Sequence, residues 1–163
     1  MSVAADSGPL ISLASISLLD LLASLFHTIH IPNSVYQEVV AAGKGRAGSE
    51  EVARAVWIER HEIKKKGDVA KLIREYGLGK GESEAVVLVK EINAGLLIVD
   101  DRVARKCAAS QKMSVIGTAG ILLLAKESGF IKSVREPLGE LLRGGFYLSP
   151  SSYQKIITIA GEN

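Results

Sequence analysis

The stretch LLIVDDRVARKCAAS, residues 96–110, decides the fold of this chain. The apolar run from Leu96 to Val99 predicts a short buried strand, and the run from Arg102 to Ser110 predicts a helix. Two aspartates, Asp100 and Asp101, stand where the strand gives way to the helix. A strand followed by a helix is the repeating unit of a parallel sheet, whose sites form at the carboxyl ends of the strands.

The same order of strand and helix recurs on both sides of this stretch. Four more strands are predicted, at Ser2–Ala5, His27–Ile31, Trp57–Ile63 and Met113–Ile116. Helices are predicted to begin at Gly8 and to cover Ser17–Leu25, Val35–Ala42, Asp68–Tyr76, Gly117–Lys126, Lys132–Leu142 and Ser149–Ala160. We therefore expect an α/β fold with three layers, α/β/α, around a mostly parallel sheet. The length of 163 residues suits a single domain over 1–163.

One segment, Glu82 to Asn93, carries conflicting signals. Its centre, AVVLV at residues 85–89, has the composition of a buried strand. An acidic first turn, Lys90 and Glu91 near the end, and Gly95 just beyond it are typical of a helix. The segment is also longer than an ordinary strand, so we predict a helix.

The composition narrows the class of protein. Apolar residues make up 47% of the chain and aromatic residues 5%, so aliphatic side chains must fill the core. The single cysteine, Cys107, excludes a disulfide framework and a zinc site built on thiolates, and we expect it to be a small buried residue. No secretory signal is evident, and four serines and Asp20 interrupt the apolar stretch from Pro9 to Phe26. We expect a cytoplasmic protein that does not enter a membrane.

Acidic residues concentrate at the predicted strand ends and helix starts. Asp6 follows the first strand, and the carboxyl ends of parallel strands lie at one edge of the sheet, so Asp6 and Asp101 should approach each other. Glu38 lies about one turn into the helix after the second strand. The candidate acids of one cavity are therefore Asp6, Glu38, Glu82, Glu84, Asp100 and Asp101.

Each of these acids also has an ordinary structural role available to it. The aspartates can cap helices, as Asp6, Asp100 and Asp101 each stand just before a predicted helix. Glu82 and Glu84 can complement a helix dipole, and Glu38 can be a solvated helix residue. Clustered carboxylates, however, repel one another unless a cation neutralises them. Oxygen ligands without a thiol or histidine nearby favour Mg²⁺ or Mn²⁺.

Five segments together resemble the PIN-domain family, and specifically its group of VapC-type toxin nucleases. They run in the family's order from the N-terminus to about residue 131, which leaves the C-terminal helices of 132–163 outside the strongest likeness. The segments are VAADSGPLISLA at 3–14, IPNSVYQEVV at 31–40, GLGKGESEAVVLV at 77–89, LLIVDDRVARKCA at 96–108 and VIGTAGILLLAKESGFI at 115–131.

The resemblance implies a site of three or four acids that binds Mg²⁺ or Mn²⁺. Its first, second and fourth acids match Asp6, Glu38 and Asp101, and Asp100 is an assisting ligand. The third matches Glu84, with Glu82 as the competing assignment. Ser7 takes the place of a small hydroxyl residue beside the first acid, and Arg102 and Arg105 are expected to position the RNA backbone.

Two departures from the family pattern bear on activity. The third acid is more commonly aspartate in the family, and glutamate is one methylene longer. The first segment reads Asp-Ser-Gly-Pro where many relatives have Asp-Thr-Asn, which removes a polar side chain from the site.

The activity implied by the resemblance is metal-dependent hydrolysis of single-stranded RNA by an endoribonuclease. It further implies a toxin held by an antitoxin protein and a homodimer, for which the apolar helices Ile11–Leu25 and Ile121–Leu142 offer either contact surfaces or internal packing. The alternative is a catalytically weak PIN-like module that binds RNA or a protein partner.

Other classes of site fit the sequence poorly. A haloacid-dehalogenase-like phosphatase needs Asp-x-Asp after its first strand, and residue 8 is Gly8. Neither glycine-rich nucleotide motif is present in the required spacing. His27, His30 and His61 lie in no recognisable pair of ligands, so we interpret them as structural or surface residues.

Overall fold

A computed structural model describes residues 1–163 and contains one five-stranded sheet. The strands are β1 (Val3–Ala5), β2 (Ile29–Pro32), β3 (Ile58–His61), β4 (Leu96–Ile98) and β5 (Val115–Ile116). Their order across the sheet is β3-β2-β1-β4-β5, and every neighbouring pair is parallel. Helices cover both faces, which confirms the predicted α/β/α fold with a parallel sheet.

Ten α-helices surround this sheet. They are α1 (Ser7–Ser15), α2 (Leu21–Phe26), α3 (Asn33–Tyr36), α4 (Ser49–Arg54), α5 (Lys66–Tyr76), α6 (Lys80–Glu91), α7 (Arg102–Ser110), α8 (Thr118–Glu127), α9 (Arg135–Arg143) and α10 (Pro150–Ile159). Helix α3 continues into a π-helical turn, Gln37–Ala41. None of the helices combines the length and apolar character that a membrane span requires.

The core is divided by the sheet into two apolar clusters. Val3 and Ala5 of β1 point to the larger cluster, which α1, α2, α8, α9 and α10 complete. Ala4, between them, points to the opposite face, where α5, α6 and α7 pack. This alternation is the two-residue period of a strand, and it explains why β1 is apolar at every position.

The strand register places the acidic residues level with one another. Ala5 pairs with Ile98, so β1 and β4 end side by side. The next backbone N–H, that of Asp6, donates to the Ile98 carbonyl at 3.0 Å and extends the ladder by one bond. The acids that follow β1 and β4 therefore emerge at the same edge of the sheet.

The segment with conflicting signals forms helix α6, as predicted. Its run from Ala85 to Val89 is buried throughout. The apolar residues lie on every side of this part of the helix because α6 packs against β1, β2 and β4 as well as α5 and α7. A helix covered on all sides needs no polar face, which explains its strand-like composition.

Several predicted elements are shorter than expected, among them β3, which covers Ile58–His61 and not Trp57–Ile63. Ser17 has a φ of 60°, so the second helix begins only at Leu21. His27 has a φ of 68° and lies outside β2, which begins at Ile29. The predicted strand at Met113–Ile116 is reduced to the two residues of β5.

The long apolar helices are used mainly for internal packing. Leu13, Leu22, Ile121 and Leu138 are all fully buried in the larger cluster. Cys107 is also fully buried, in the smaller cluster, which confirms the prediction that it is a small buried residue.

The C-terminal residues are fixed by the carboxylate of Glu162. Its oxygens accept hydrogen bonds from the Val134 N–H at 2.8 Å and the Lys126 ammonium at 2.9 Å, with Ser133 and the Arg135 N–H as further donors. These bonds lower the pKa of Glu162 to about 2. The largest contribution comes from the Val134 N–H and the next from the Lys126 ammonium. The side chain is only 15% exposed.

Replacing this carboxylate should destabilise the fold in a pH-dependent way. We expect Glu162→Gln to lower the free energy of unfolding at pH 7 by about 1–2 kcal/mol, because charge-assisted bonds are lost. The folded pKa lies below the ordinary 4.5, so this stabilisation is complete above pH 4.5 and disappears as the pH falls towards 2. Urea unfolding across this range measures it, with the exposed Glu140→Gln as the control. Equal stability of Glu162→Gln and wild type at pH 7 would contradict the assignment.

Candidate active site

A polar cavity of about 320 Å³ opens at the carboxyl end of β1. No apolar side chain lines it, which sets it apart from an ordinary packing void. Its lining residues come from β1–α1, α3 with its π turn, and the start of α6: Asp6, Ser7, Ser34, Glu38, Gly79, Lys80, Gly81 and Glu82.

Asp6 is the most deeply placed acid of the cavity. It is only 5% exposed and stands at the N-cap position of α1. Its side chain makes no capping hydrogen bond, and its Oδ1 atom is buried without any partner. A buried polar atom without a partner is unfavourable, so Asp6 is not accounted for by a capping role.

The surroundings of Asp6 favour its protonated form. Burial raises its pKa to about 7; the Ser7 backbone N–H acts in the opposite direction, and the charges of Glu82, Glu38 and Asp101 add to the rise. Three other acids therefore act on the same carboxylate. Only a proton or a cation relieves this repulsion.

Glu38 and the start of α6 close the cavity beside Asp6. A Cβ atom built on Gly81 would lie 3.5 Å from Glu38 Oε2 and 3.7 Å from Asp6 Oδ1. The two carboxylates thus converge on the first turn of a twelve-residue helix. The N–H groups of that turn carry partial positive charge towards them.

The structure separates the two glutamates that compete for the third position. Glu82 lines the cavity, and its pKa is raised by burial, against the hydrogen bond from the Gly79 N–H, and by the charges of Asp101 and Glu38. Glu84 instead accepts a hydrogen bond from the Ser34 hydroxyl at 2.8 Å. Ser34 lines the cavity and Glu84 does not, so the geometry favours Glu82.

The paired aspartates after β4 also differ in their contacts. Asp100 accepts two hydrogen bonds from Thr118, one from its N–H at 2.7 Å and one from its hydroxyl at 2.6 Å, and so caps α8. Asp101 uses only Oδ2, which accepts from the Ala104 N–H at 2.8 Å and caps α7. Its second oxygen makes no hydrogen bond, and the charge of Asp101 raises the pKa of both Asp6 and Glu82.

The donor set of the cavity fits a hard divalent cation. It offers carboxylate oxygens without sulfur or imidazole, which suits Mg²⁺ or Mn²⁺. The unpartnered Oδ1 of Asp6 points to a missing positive partner. The oxygens of the four acids are spread so that no three lie within 4.8 Å of one another, as expected for carboxylates that repel.

Two lining residues were missed by sequence reasoning. Ser34 lies one residue after the Pro32–Asn33 strand stop, and Lys80 lies between two glycines just before Glu82. Lys80 could have been found from its position in the first turn of α6, because the N-terminus of a helix binds anions and a lysine there adds positive charge. Ser7, which was predicted, lines the cavity and is buried.

The predicted arginines lie in a second, adjoining feature. Arg102 and Arg105 line a groove of about 830 Å³ that includes Asp101 at one side and reaches α10. Arg105 donates to the Val99 carbonyl at 3.3 Å, whereas Arg102 is exposed. Asp101 lines this groove and not the cavity, but its charge acts on Asp6, so the groove places basic side chains beside an acid that influences the cavity.

A separate group of titratable residues lies on the β2–β3 side of the sheet. His30, Glu59 and His61 place one ligand atom each within 4.8 Å of one another. The sequence showed no recognisable ligand pair among the histidines, whereas the structure brings His30 and His61 into contact. They are 31 positions apart, and only the strand register brings them together.

A comparison with known protein families gives a match over nearly the whole chain. A family model described as a PIN domain matches residues 2–162. No curated protein matches the sequence. The matched range includes every residue of the cavity and the C-terminal helices beyond residue 131.

The charge on Asp6 should destabilise the metal-free protein. The folded state binds a proton between the ordinary pKa of 3.8 and about 7, so the contribution of Asp6 to stability is lost as the pH rises through this window. We expect Asp6→Asn, in EDTA, to raise the free energy of unfolding at pH 8 by roughly 1–3 kcal/mol and to have little effect at pH 4. Thermal unfolding at both pH values measures the difference, with the exposed Asp20→Asn as control. A less stable Asp6→Asn at pH 8 would refute it.

Proposed function

We propose that this chain, which belongs to the PIN-domain family, is a metal-dependent endoribonuclease that hydrolyses phosphodiester bonds in single-stranded RNA. PIN domains are generally nucleases, so the family supports hydrolysis of nucleic acid. The observation that carries the proposal is the buried, unpartnered Oδ1 of Asp6 among three further acids. A bound cation would give this oxygen a partner and would neutralise the repulsion among the four carboxylates.

The proposed ligands of the cation are Asp6, Glu38, Glu82 and Asp101. When bound, Mg²⁺ or Mn²⁺ supplies positive charge that activates water and stabilises charge on the phosphate and the leaving oxygen. Asp6 holds the innermost position because it is the most buried of the four. Glu84 is the alternative third acid, and Asp100 supports Asp101 by fixing the start of α8.

The remaining cavity residues are proposed to position the scissile phosphate. Lys80 supplies a charged donor, and the backbone N–H groups of the first turn of α6 supply dipolar ones. The Ser7 hydroxyl, buried beside Asp6, orients a water molecule or a phosphate oxygen.

The adjoining groove is the proposed path of the RNA strand. Arg102, Arg105 and Lys155 line it, and cations beside an acidic centre attract a polyanion while leaving the reacting phosphate to the metal. Tyr147, 82% exposed, also lines the groove and offers a ring on which a base can stack. A single strand fits this arrangement because its bases are free to stack on side chains.

A PIN-like module that binds RNA with weak or no turnover is the second proposal. It is favoured by the wide spacing of the carboxylate oxygens and by Gly8-Pro9, which replaces a polar side chain next to Ser7. An antitoxin partner, a homodimer and a cytoplasmic location stay predictions from the sequence.

Neutralising the proposed ligands should abolish cleavage without unfolding the protein. We expect Asp6→Asn and Asp101→Asn each to reduce Mn²⁺- or Mg²⁺-dependent cleavage of single-stranded RNA by at least about 100-fold. Asparagine keeps the shape of Asp6 and the helix cap of Asp101, so the melting temperature should stay near or above that of wild type. Gel assays on a mixed RNA panel, with and without EDTA, measure the effect.

The exposed Asp20→Asn serves as the matched control and should cleave at the wild-type rate. Full activity of Asp6→Asn or Asp101→Asn would refute the site. Absence of metal-dependent cleavage in folded wild type, together with binding of the same RNA, would favour the second proposal.

A paired substitution decides between the two glutamates of α6. We expect Glu82→Gln to reduce cleavage by at least about 100-fold and Glu84→Gln to reduce it by less than about 10-fold, because Glu84 is engaged by Ser34. The two substituted glutamates lie two residues apart on the same helix, so each variant is the control for the other. The reverse result would assign the third ligand to Glu84.

A further inference from the structure

The β2–β3 edge of the sheet carries a second convergence of ligand atoms, unrelated to the acid cavity. His30 pairs with Glu59 across the two strands, and His61 stands two residues after Glu59. In a parallel pair these three positions share one face, because side chains alternate with a period of two. The sheet therefore fixes the three side chains next to one another.

The three donor atoms meet at short range. His30 Nδ1 lies 2.9 Å from His61 Nε2 and 3.4 Å from Glu59 Oε2. The imidazole rings are inclined at 52° with centroids 5.0 Å apart, so they do not stack, and one nitrogen of each ring faces the other. Ligands held about 2.0–2.1 Å from one ion, at angles of roughly 90–110°, lie about 2.9–3.4 Å apart.

We propose that His30, Glu59 and His61 form a binding site for a divalent transition metal such as Zn²⁺ or Co²⁺. Two imidazole nitrogens and one carboxylate oxygen favour such ions over Mg²⁺. The site is distinct in chemistry from the oxygen-only cavity. Its existence does not depend on the nuclease proposal.

The protonation of the cluster favours metal binding. Burial lowers the pKa of His30, Glu59 raises it and His61 lowers it further, and a neutral imidazole is the form that binds a metal. A single shared proton satisfies the two imidazoles but leaves the carboxylate 3.4 Å away with no short bond to them. A divalent cation satisfies all three donors.

The site lies at the edge of the sheet and is open to solvent on the side of Glu59. The Glu59 side chain is 60% exposed and that of His30 is 16% exposed, so an ion enters from solvent and meets a partly buried ligand. Strand β3 lies at the edge of the sheet and pairs only with β2. A bound ion therefore links the edge strand to its one neighbour by side chains as well as by the backbone.

The test is a titration of tag-free protein with Zn²⁺ by calorimetry, in millimolar Mg²⁺ to occupy the acid cavity, and with Co²⁺ by visible absorption. We expect one equivalent bound with micromolar or tighter affinity, a cobalt spectrum with nitrogen ligands, and a melting temperature raised by roughly 5 °C or more at saturation. His61→Gln and Glu59→Gln should weaken binding by at least about 10-fold.

Two variants separate this site from the others. His27→Asn removes the one histidine outside the cluster, at a positive-φ position that asparagine tolerates, and should bind Zn²⁺ as wild type does. Asp6→Asn should also retain Zn²⁺ binding. If His61→Gln and Glu59→Gln, folded by circular dichroism, bind as wild type, or if binding is lost in Asp6→Asn, the site is refuted. Failure of wild type to bind at micromolar Zn²⁺ refutes it as well and leaves a hydrogen bond between the imidazoles.

Discussion

The pairing of β1 between β2 and β4 is the constraint on which the rest of the structure depends. It buries three consecutive small or apolar residues and holds Asp6, which is only 5% exposed, against the polar cavity. The bond from the Asp6 N–H to the Ile98 carbonyl holds that residue level with the end of β4. A carboxylate fixed by backbone pairing is unable to retreat to water, so its charge must be balanced in place.

Much of the fold was readable from the sequence because strand and helix signals alternate along the chain. The strands before Asp6 and Asp100 are apolar at each position, and their parallel arrangement predicted that the two acids would share an edge. The helical nature of α6 was also predicted, from its ends and not from its centre. Local sequence patterns were therefore enough to predict the class of fold and the edge of the sheet at which the acids lie.

The finer assignments depended on contacts that no local pattern contains. The family resemblance favoured Glu84 over Glu82 as the third acid. The structure instead engages Glu84 with Ser34, fifty residues away, and leaves Glu82 on the cavity wall. Asp100 and Asp101 differ because Thr118 engages the first of them. The grouping of His30 with His61 follows from the register of β2 against β3, which the sequence does not specify. Long-range pairing thus decides which of several similar residues lies in a site.

The π-helical turn that carries Glu38 has a consequence for how such a site can be lost. A π turn contains one residue more than an α turn of the same span, and here that turn follows α3 directly. Deletion of the single codon for Gln37 would allow the backbone to relax into regular α geometry while rotating Glu38 by about 100° from the cavity. Val35, which precedes the deletion, would keep its place in the larger cluster, whereas the buried Val39 would shift together with Glu38. A single in-frame deletion in this turn would therefore remove Glu38 from the cavity, so a homologue could lose the second acid by one mutation.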